Sequence, residues 1–242
     1  MKEHGDTAYG PGERWVLVAG GTVDPDLLRS VVSCGKRPEE RKSLPGKTTG
    51  ETVRILGIDA GVLAAEAAGC TPDMVLGDFD SVTAEEKALI LRDYPERVVL
   101  DPVKDDTDLE AAIRFALERK PSRITILGGI GSRMDHTMTN LRLLVLCAKE
   151  NVPAVLIDKT NRIRVLTGSV TIRREDLFGT YVSFLPVEGA VRGITLRGFR
   201  YPLSDATLEP FSSLGVSNEL TEEVGEVRFS GGMLYMMETK DE

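Results

Sequence analysis

From Trp15 to Asp158 the chain alternates short apolar runs with amphipathic segments. WVLVAGG, RILGID, DMVLGD, RVVLDP, RITILGG and PAVLID are bounded by Gly, Pro or Asp and predict six strands. Near-continuous apolar strands of this kind belong in a sheet covered on both faces. Between them the periodicity predicts helices over Asp24 to Val32, Val62 to Ala68, Ala84 to Leu91, Asp108 to Glu118 and His136 to Lys149, the last two with the clearest apolar stripes. Repeated strand–helix units imply right-handed crossovers and a mostly parallel sheet.

After Asp158 the pattern changes. IRVLTGSVTI, YVSFLPV, AVRGITLRGF and EVRFSGGMLYMMET are β-rich and separated by turn residues, with no strong helix among them. The expected architecture is therefore an α/β domain over 15–159, its mostly parallel sheet flanked by helices, followed by an all-β, sandwich-like domain over 160–242. Residues 1–14 read as a flexible tail, and the polar, basic, Gly- and Pro-bearing segment 33–52 as a surface loop.

Composition narrows the function classes. The 242 residues are 41% hydrophobic and 28% charged, enough for one large core or two modest ones. With 38 acidic against 30 basic residues the formal charge is −8, so no global field attracts nucleic acid or an anionic membrane, and a polyanionic ligand needs local help such as metal ions. Cys34, Cys70 and Cys147 have no zinc-ligand spacing and read as reduced thiols. No apolar stretch approaches the roughly 20 residues that span a bilayer, and the N-terminus has no signal-peptide core. The expected location is the cytoplasm.

In an open parallel sheet, ligands bind beyond the carboxyl ends of the strands. Here those ends carry Asp59-Ala60-Gly61, Gly77-Asp78-Phe79-Asp80-Ser81, the run to Asp105-Asp106-Thr107-Asp108, and Gly131-Ser132-Arg133-Met134-Asp135-His136. In extended chain Asp78 and Asp80 share one side while Phe79 points away, and two hard oxygen ligands on one edge suit magnesium. A single Asp at a strand end is ordinarily a turn or cap residue. Thr107-Asp108-Leu109-Glu110 also fits a capping box, with Asp108 favouring the helix dipole. Several carboxylates converging from one sheet edge would repel one another unless a cation sat among them, and a magnesium-bound polyphosphate is the economical ligand. Arg133 can grip phosphate, and Asp135 is placed to cap the following helix. His136 and Asn140 share a helix face, where a lone histidine is ordinarily a structural residue. Gly46-Lys47-Thr48 lacks the first P-loop glycine and follows no strand, and Gly128, Gly129 and Gly131 do not form the dinucleotide fingerprint.

The set GIDAG, GDFDS, DDTDLEAA and GSRMDHTMTNLRLL, in that order and spacing, resembles the thiamine pyrophosphokinase (thiamine diphosphokinase) family. Gly198-Phe199-Arg200-Tyr201-Pro202-Leu203 and Gly215-Val216-Ser217-Asn218 extend the resemblance to roughly residues 15–237. It implies an α/β nucleotide domain, a C-terminal β-sandwich, a homodimer with the thiamine site between subunits, and magnesium-dependent transfer of pyrophosphate from ATP to thiamine with release of AMP. Asp78, Asp80 and Asp108 match its metal-holding acids, with Asp59 a further member. For catalysis the resemblance points to Asp78, Asp80, Asp108 and Arg133. ATP contacts fall on Asp59, Gly61, Gly77, Thr107, Arg133, Asp135 and His136, and thiamine contacts on Tyr201, Ser217 and Asn218. Tyr201 stands where some members carry Trp and keeps an aromatic face for a cationic, planar substrate. The longer 33–52 segment and Ser132, in place of a common glycine, depart from the family pattern. A pyrophosphokinase acting on a hydroxymethyl pterin and an inactive nucleotide- or thiamine-binding module are the alternatives.

Overall fold

The structure is a computed structural model and describes residues 12–33, 52–103 and 105–241. Most of the 33–52 segment, the first eleven residues, Cys34 and the Gly46-Lys47-Thr48 stretch lie outside the described residues. Six strands follow the six apolar runs: β1 (Arg14–Val18), β2 (Val53–Ile58), β3 (Met74–Gly77), β4 (Arg97–Val99), β5 (Arg123–Leu127) and β6 (Ala154–Ile157). The intervening helices are α1 (Pro25–Ser33), α2 (Gly61–Ala67), α3 (Ala84–Asp93), α4 (Asp108–Glu118) and α5 (Met134–Lys149). In the second half lie β7 (Asn161–Leu166), β8 (Val170–Arg173), β9 (Tyr181–Pro186), β10 (Val191–Arg197), β11 (Leu203–Leu208), β12 (Asn218–Glu219), β13 (Val224–Arg228) and β14 (Leu234–Thr239).

The strands form a ten-stranded sheet, β12-β9-β14-β7-β6-β5-β1-β2-β3-β4, and a four-stranded antiparallel sheet, β11-β10-β13-β8. From β6 to β4 every neighbour is parallel, whereas β6–β7 and the pairs beyond it are antiparallel. The β-rich half is thus two facing sheets as expected, but one of them continues the parallel sheet. The handover is a tight hairpin. Asp158 Oδ1 accepts from the amides of Thr160 (2.8 Å) and Asn161 (2.6 Å), and the Asp158 amide donates to the Asn161 carbonyl. Such an Asx turn reverses the chain without a crossover helix.

Burial on both faces follows from strand parity. Leu17, Leu56, Leu76, Ile126 and Ile163 pack under α4 and α5, while Val16, Val18, Ile55 and Leu127 pack under α1 and α2. Leu166, three residues past Ile163 on β7, faces the opposite way and joins Phe184, Leu234 and Met236 against the small sheet. The small sheet therefore lies on the same face as α1 and α2. Phe79, Ile90 and Tyr94 anchor α3 in a smaller cluster. Among the described residues no helix is long and apolar enough to cross a membrane, and Cys70 and Cys147 are buried free thiols.

Local signals decided the helix starts. Thr83 and Glu86 form the reciprocal capping box at α3. At α4 only half of the expected box exists: Thr107 accepts from the Glu110 amide at 3.2 Å, but the Glu110 carboxylate turns to Arg114 at 2.6 Å. An ion pair one turn onward on the helix competes with the reach back to the cap.

The two sheets meet through Phe184, fully buried and edge-on to Phe199 with ring centroids 5.8 Å apart. Phe184→Ala should remove about 3–5 kcal/mol of stability. A urea titration should show the midpoint fall with the slope retained; a loss under about 1 kcal/mol would mean that the inter-sheet core does not depend on this ring.

Candidate active site

Chain order along the sheet reverses beside β1, with β2, β3 and β4 following on one side and β5 on the other. That switch point opens a crevice beyond the strand ends. A cleft of about 510 Å³ lies there, lined by Gly20 and Gly21 after β1, Asp59 after β2, Asp80 and Ser81 after β3, the Thr107-Asp108 start of α4, the glycines after β5, and Arg133, His136, Thr137 and Asn140.

The strand ends approach closely because they lack side chains. The Gly21 amide donates to the Gly128 carbonyl at 2.9 Å, and a Cβ on Gly21 would collide with that carbonyl. Gly61 and Gly77 do not line the cleft. A Cβ on Gly61 would strike the Val18 carbonyl, and one on Gly77 would strike the Asp59 carboxylate. These glycines allow the cleft to be built, rather than touching its contents.

Asp59 stands in the left-handed region at φ 48°, and its Oδ1 accepts from the Phe79 amide at 3.0 Å. Phe79 is itself left-handed at φ 56°, so the GDFDS segment is not the extended chain expected from the sequence. Its ring is buried beneath α3, and this anchor turns the backbone. The Asp78 carboxylate, almost fully buried, accepts from the Asp80 amide at 3.1 Å, while Lys87 Nζ donates to the Asp78 carbonyl. The tight turn still brings the carboxylates together: oxygens of Asp59, Asp78 and Asp80 all lie within 4.8 Å of one another.

Asp108 completes the acidic edge. It is the first residue of α4, where the helix dipole favours its charge, and its carboxyl shares a hydrogen bond with that of Asp59. Two carboxyls can share a hydrogen bond only if one is protonated. Burial, that bond and the charges of Asp108 and Asp78 push the Asp59 carboxyl up to about 7, against an opposing contribution from the Phe79 amide. Hard oxygen donors that repel one another fit a small divalent cation better than they fit an empty cleft.

On the opposite wall Arg133 precedes α5 and pairs with Asp135 at 2.8 Å, both side chains about two-thirds exposed. Asp135 does not cap α5. Its Oδ1 accepts from the adjacent His136 amide at 2.9 Å, because Arg133 occupies the N-cap position and draws the carboxylate outward. Of the residues expected around ATP, Asp59, Thr107, Arg133 and His136 line the cleft, whereas Asp135 stands outside its lining. Gly20-Gly21, Thr137 and Asn140 belong to the lining without having been singled out by a motif. Thr137 Oγ1 accepts from the Gly131 amide at 3.2 Å and Asn140 Nδ2 donates to the Gly129 carbonyl at 2.8 Å, pinning the glycine-rich turn. The signals were the paired glycines closing WVLVAGG and the shared helix face of 136, 137 and 140.

A second cavity, of about 440 Å³, is lined by Tyr201, Leu203, residues 212–216 and Asn218. Tyr201 is half exposed, with the Arg200 guanidinium 5.6 Å from its ring centroid. Asn218 is buried and its amide is occupied: Oδ1 accepts from the Tyr201 and Glu219 amides, and Nδ2 donates to the Tyr201 carbonyl at 2.8 Å. It fixes the Tyr201 backbone. Ser217, left-handed at φ 53°, donates its amide to Ser183 Oγ at 2.9 Å and does not line the cavity. Fully exposed Phe211, with Leu214 and Val216 in part, gives this rim an apolar surface.

Comparison with known proteins matches residues 48–156 to the thiamin pyrophosphokinase catalytic domain and residues 169–234 to the thiamin pyrophosphokinase vitamin B1 binding domain. Thiamine pyrophosphokinase of Bacillus subtilis is 37% identical over 198 residues, which is 82% of this chain and 92% of that protein, and thiamin pyrophosphokinase 1 of Caenorhabditis elegans is 25% identical over 178 residues, covering 70% and 71%. The crystal structure of the Bacillus subtilis enzyme superposes with a TM-score of 0.80 at 32% identity, covering 95% of this chain and all of that one, and that from Geobacillus thermodenitrificans with 0.77 at 32%, covering 94% and 98%. With that identity over most of both chains, and both family domains matched in order along the sequence, this chain belongs to the thiamin pyrophosphokinase family.

Proposed function

We propose that the chain transfers the pyrophosphoryl group of ATP to the hydroxyl of thiamine, giving thiamine diphosphate and AMP. The observation that carries this reading is the acidic cluster at the sheet's switch point, in a chain whose two halves match the family's catalytic and vitamin B1 binding domains. The B1-binding match disfavours a pterin acceptor, and the intact, gathered acids disfavour an inactive binding module.

The thiamine hydroxyl oxygen attacks the β-phosphorus of ATP; a new P–O bond forms, the bond to the α-phosphate bridging oxygen breaks, and its electron pair leaves with AMP. Such transfers rest on positioning and charge stabilisation more than on a strong base. Asp59, Asp78, Asp80 and Asp108 would hold magnesium, which when bound offsets the negative charge of the phosphates. The hydroxyl proton passes to a cleft carboxylate, Asp80 or Asp108. Arg133 is available to the phosphates because its exposed pair with Asp135 contributes little and can be exchanged at small cost. Thr107 and His136 offer polar groups to the nucleotide side of the cleft.

Distance within one chain supports the reading of a homodimer. Tyr201 is tied by Asn218 to β12, six strands across the large sheet from β1. At about 4.8 Å per strand the two cavities of one chain stand on the order of 25–30 Å apart, too far to serve one substrate. A second copy, seated on the apolar rim of Phe211, Leu214 and Val216, would bring its Tyr201, with the Ser217-Asn218 turn behind it, to the acidic cleft of the first. The domain division near residue 160 and a cytoplasmic location complete the reading.

AMP release from magnesium-ATP, measured with thiamine, a hydroxymethyl pterin or no acceptor, tests the reaction directly. Thiamine-dependent AMP with thiamine diphosphate formed is expected; pterin dependence alone, or no AMP at all, would overturn it. Asp78→Asn, Asp80→Asn or Asp108→Asn should each lower turnover by at least about a hundredfold. A folded variant with near-normal turnover would remove that residue from the site.

Mixing Asp78→Asn with Tyr201→Ala protein tests the shared site. Random two-fold pairing makes about half the dimers mixed, each with one intact site, so about a quarter of the wild-type activity should return. Absence of recovery after confirmed subunit exchange would place both residues in the same chain's site.

The raised Asp59 carboxyl gives the metal-free protein a pH signature. The group titrates near its ordinary value of 3.8 when unfolded and near 7 when folded, so below about 4 it is neutral in both states. As pH rises toward 7 the folded state retains a proton that the unfolded state has released, and stability falls. Urea midpoints in EDTA at pH 5 and 7.5 should show this fall in the wild type and a smaller one in Asp59→Asn, and magnesium should reduce the wild-type loss at pH 7.5. Equal slopes in both proteins would discard the shared-proton picture.

A further inference from the structure

A third cleft, of about 420 Å³, opens at the other end of the parallel strands. It lies where β5 and β6 begin, against β7 and the β8 edge of the small sheet, and is lined among others by Arg123, Arg162, Arg164, Asp176 and Glu238. The five residues of β5, at roughly 3.3 Å each, separate it by about 15 Å or more from the glycines of the acidic cleft.

The two arginines of β7 are in different circumstances. Arg162 is fully engaged: it forms a forked pair with the buried Glu238 and also donates to the Asp176 carbonyl. Glu238 is thereby committed, accepting in addition from the Phe178 amide. Arg164, two residues on and on the same face, has no carboxylate of its own among the described residues. Among the described residues its one hydrogen-bond acceptor is the Met236 thioether at 3.3 Å, and its buried Nε has none. A thioether is a weak acceptor, whereas a guanidinium carries five donors in a planar fork. Desolvation depresses the guanidinium's proton affinity, Glu238 opposes that and Arg162 adds to it. An uncompensated cation held partly out of water is costly unless something occupies the cleft.

We propose that this cleft is an anion site distinct from the catalytic one, taking a small phosphate-bearing molecule on Arg164 and Arg123. Phosphate suits it better than a carboxylate, because three terminal oxygens can accept from the Arg164 fork and from a further N–H of Arg123 at once. The Ile124, Pro153, Val170 and Ile172 wall leaves room for a small apolar substituent on the ester.

The test is binding by the full chain in EDTA at fixed ionic strength, followed by thermal shift and calorimetry with inorganic phosphate, phenyl phosphate and acetate as probes. Both phosphates should bind and raise the melting temperature and acetate should not; tighter binding of phenyl phosphate assigns an organic ester, equal binding inorganic phosphate. Arg164→Gln should weaken phosphate binding at least about tenfold while leaving thiamine pyrophosphokinase turnover intact. Arg164→Met should melt higher than wild type without ligand, since it removes the uncompensated charge. Arg123→Gln provides the same loss of binding should the buried variants fail to fold. Phosphate binding that survives Arg164→Gln and Arg123→Gln, is lost in Arg133→Gln, or is matched by acetate would overturn the proposal.

Discussion

Backbone pairing between β6 and β7 is the constraint on which the rest depends. A parallel sheet ends where its last strand has no neighbour, and here the Asp158 turn supplies one by reversing the chain directly onto β6. Every later strand of the large sheet is registered against that first antiparallel pair. β14 is inserted between β7 and β9, and β12 follows outside β9. The small sheet then has a rigid face to close on. The nucleotide-side cleft and the Tyr201 cavity consequently stand on one continuous hydrogen-bonded platform, and their separation is set by strand count rather than by a linker.

On this platform the chemistry is concentrated by two devices. Glycines at Gly21, Gly61, Gly77 and Gly128 let carbonyls and carboxylates approach within distances that any side chain would forbid. The left-handed residues Asp59 and Phe79 then turn adjacent strand ends inward. The result is a set of like charges held closer than they would choose, stabilised by backbone amides and by one shared proton. That arrangement is poorly suited to an empty cleft and well suited to a cation-bound polyphosphate.

Much of this was legible in the sequence because it is periodic. The six apolar runs and the stripe of α4 specify elements whose burial repeats at fixed spacing, and α4 runs from Asp108 to Glu118 as its pattern indicates. The acidic edge was legible too, since four carboxylates at strand ends are unusual together. What escaped is non-periodic or long-range. LSDATL, now β11, exposes Ser204, Asp205 and Thr207 and so carries no apolar alternation, while β12 is two residues fixed by the buried Asn218. Extended geometry across GDFDS was expected, but the Phe79 anchor under α3 imposes a turn. Asn218 lines the Tyr201 cavity, and that its amide is also tied to the Tyr201 backbone is set by a contact 17 residues distant.

The strand order has a consequence for the behaviour of the protein in concentrated solution. A ten-stranded sheet is long enough to template the addition of further chains at its open ends. Its two outermost strands are the three-residue β4 and the two-residue β12, the shortest among the described residues. Each offers a stranger only a few unpaired amides and carbonyls, so the broad interior of this sheet ends in margins too brief to recruit a new strand.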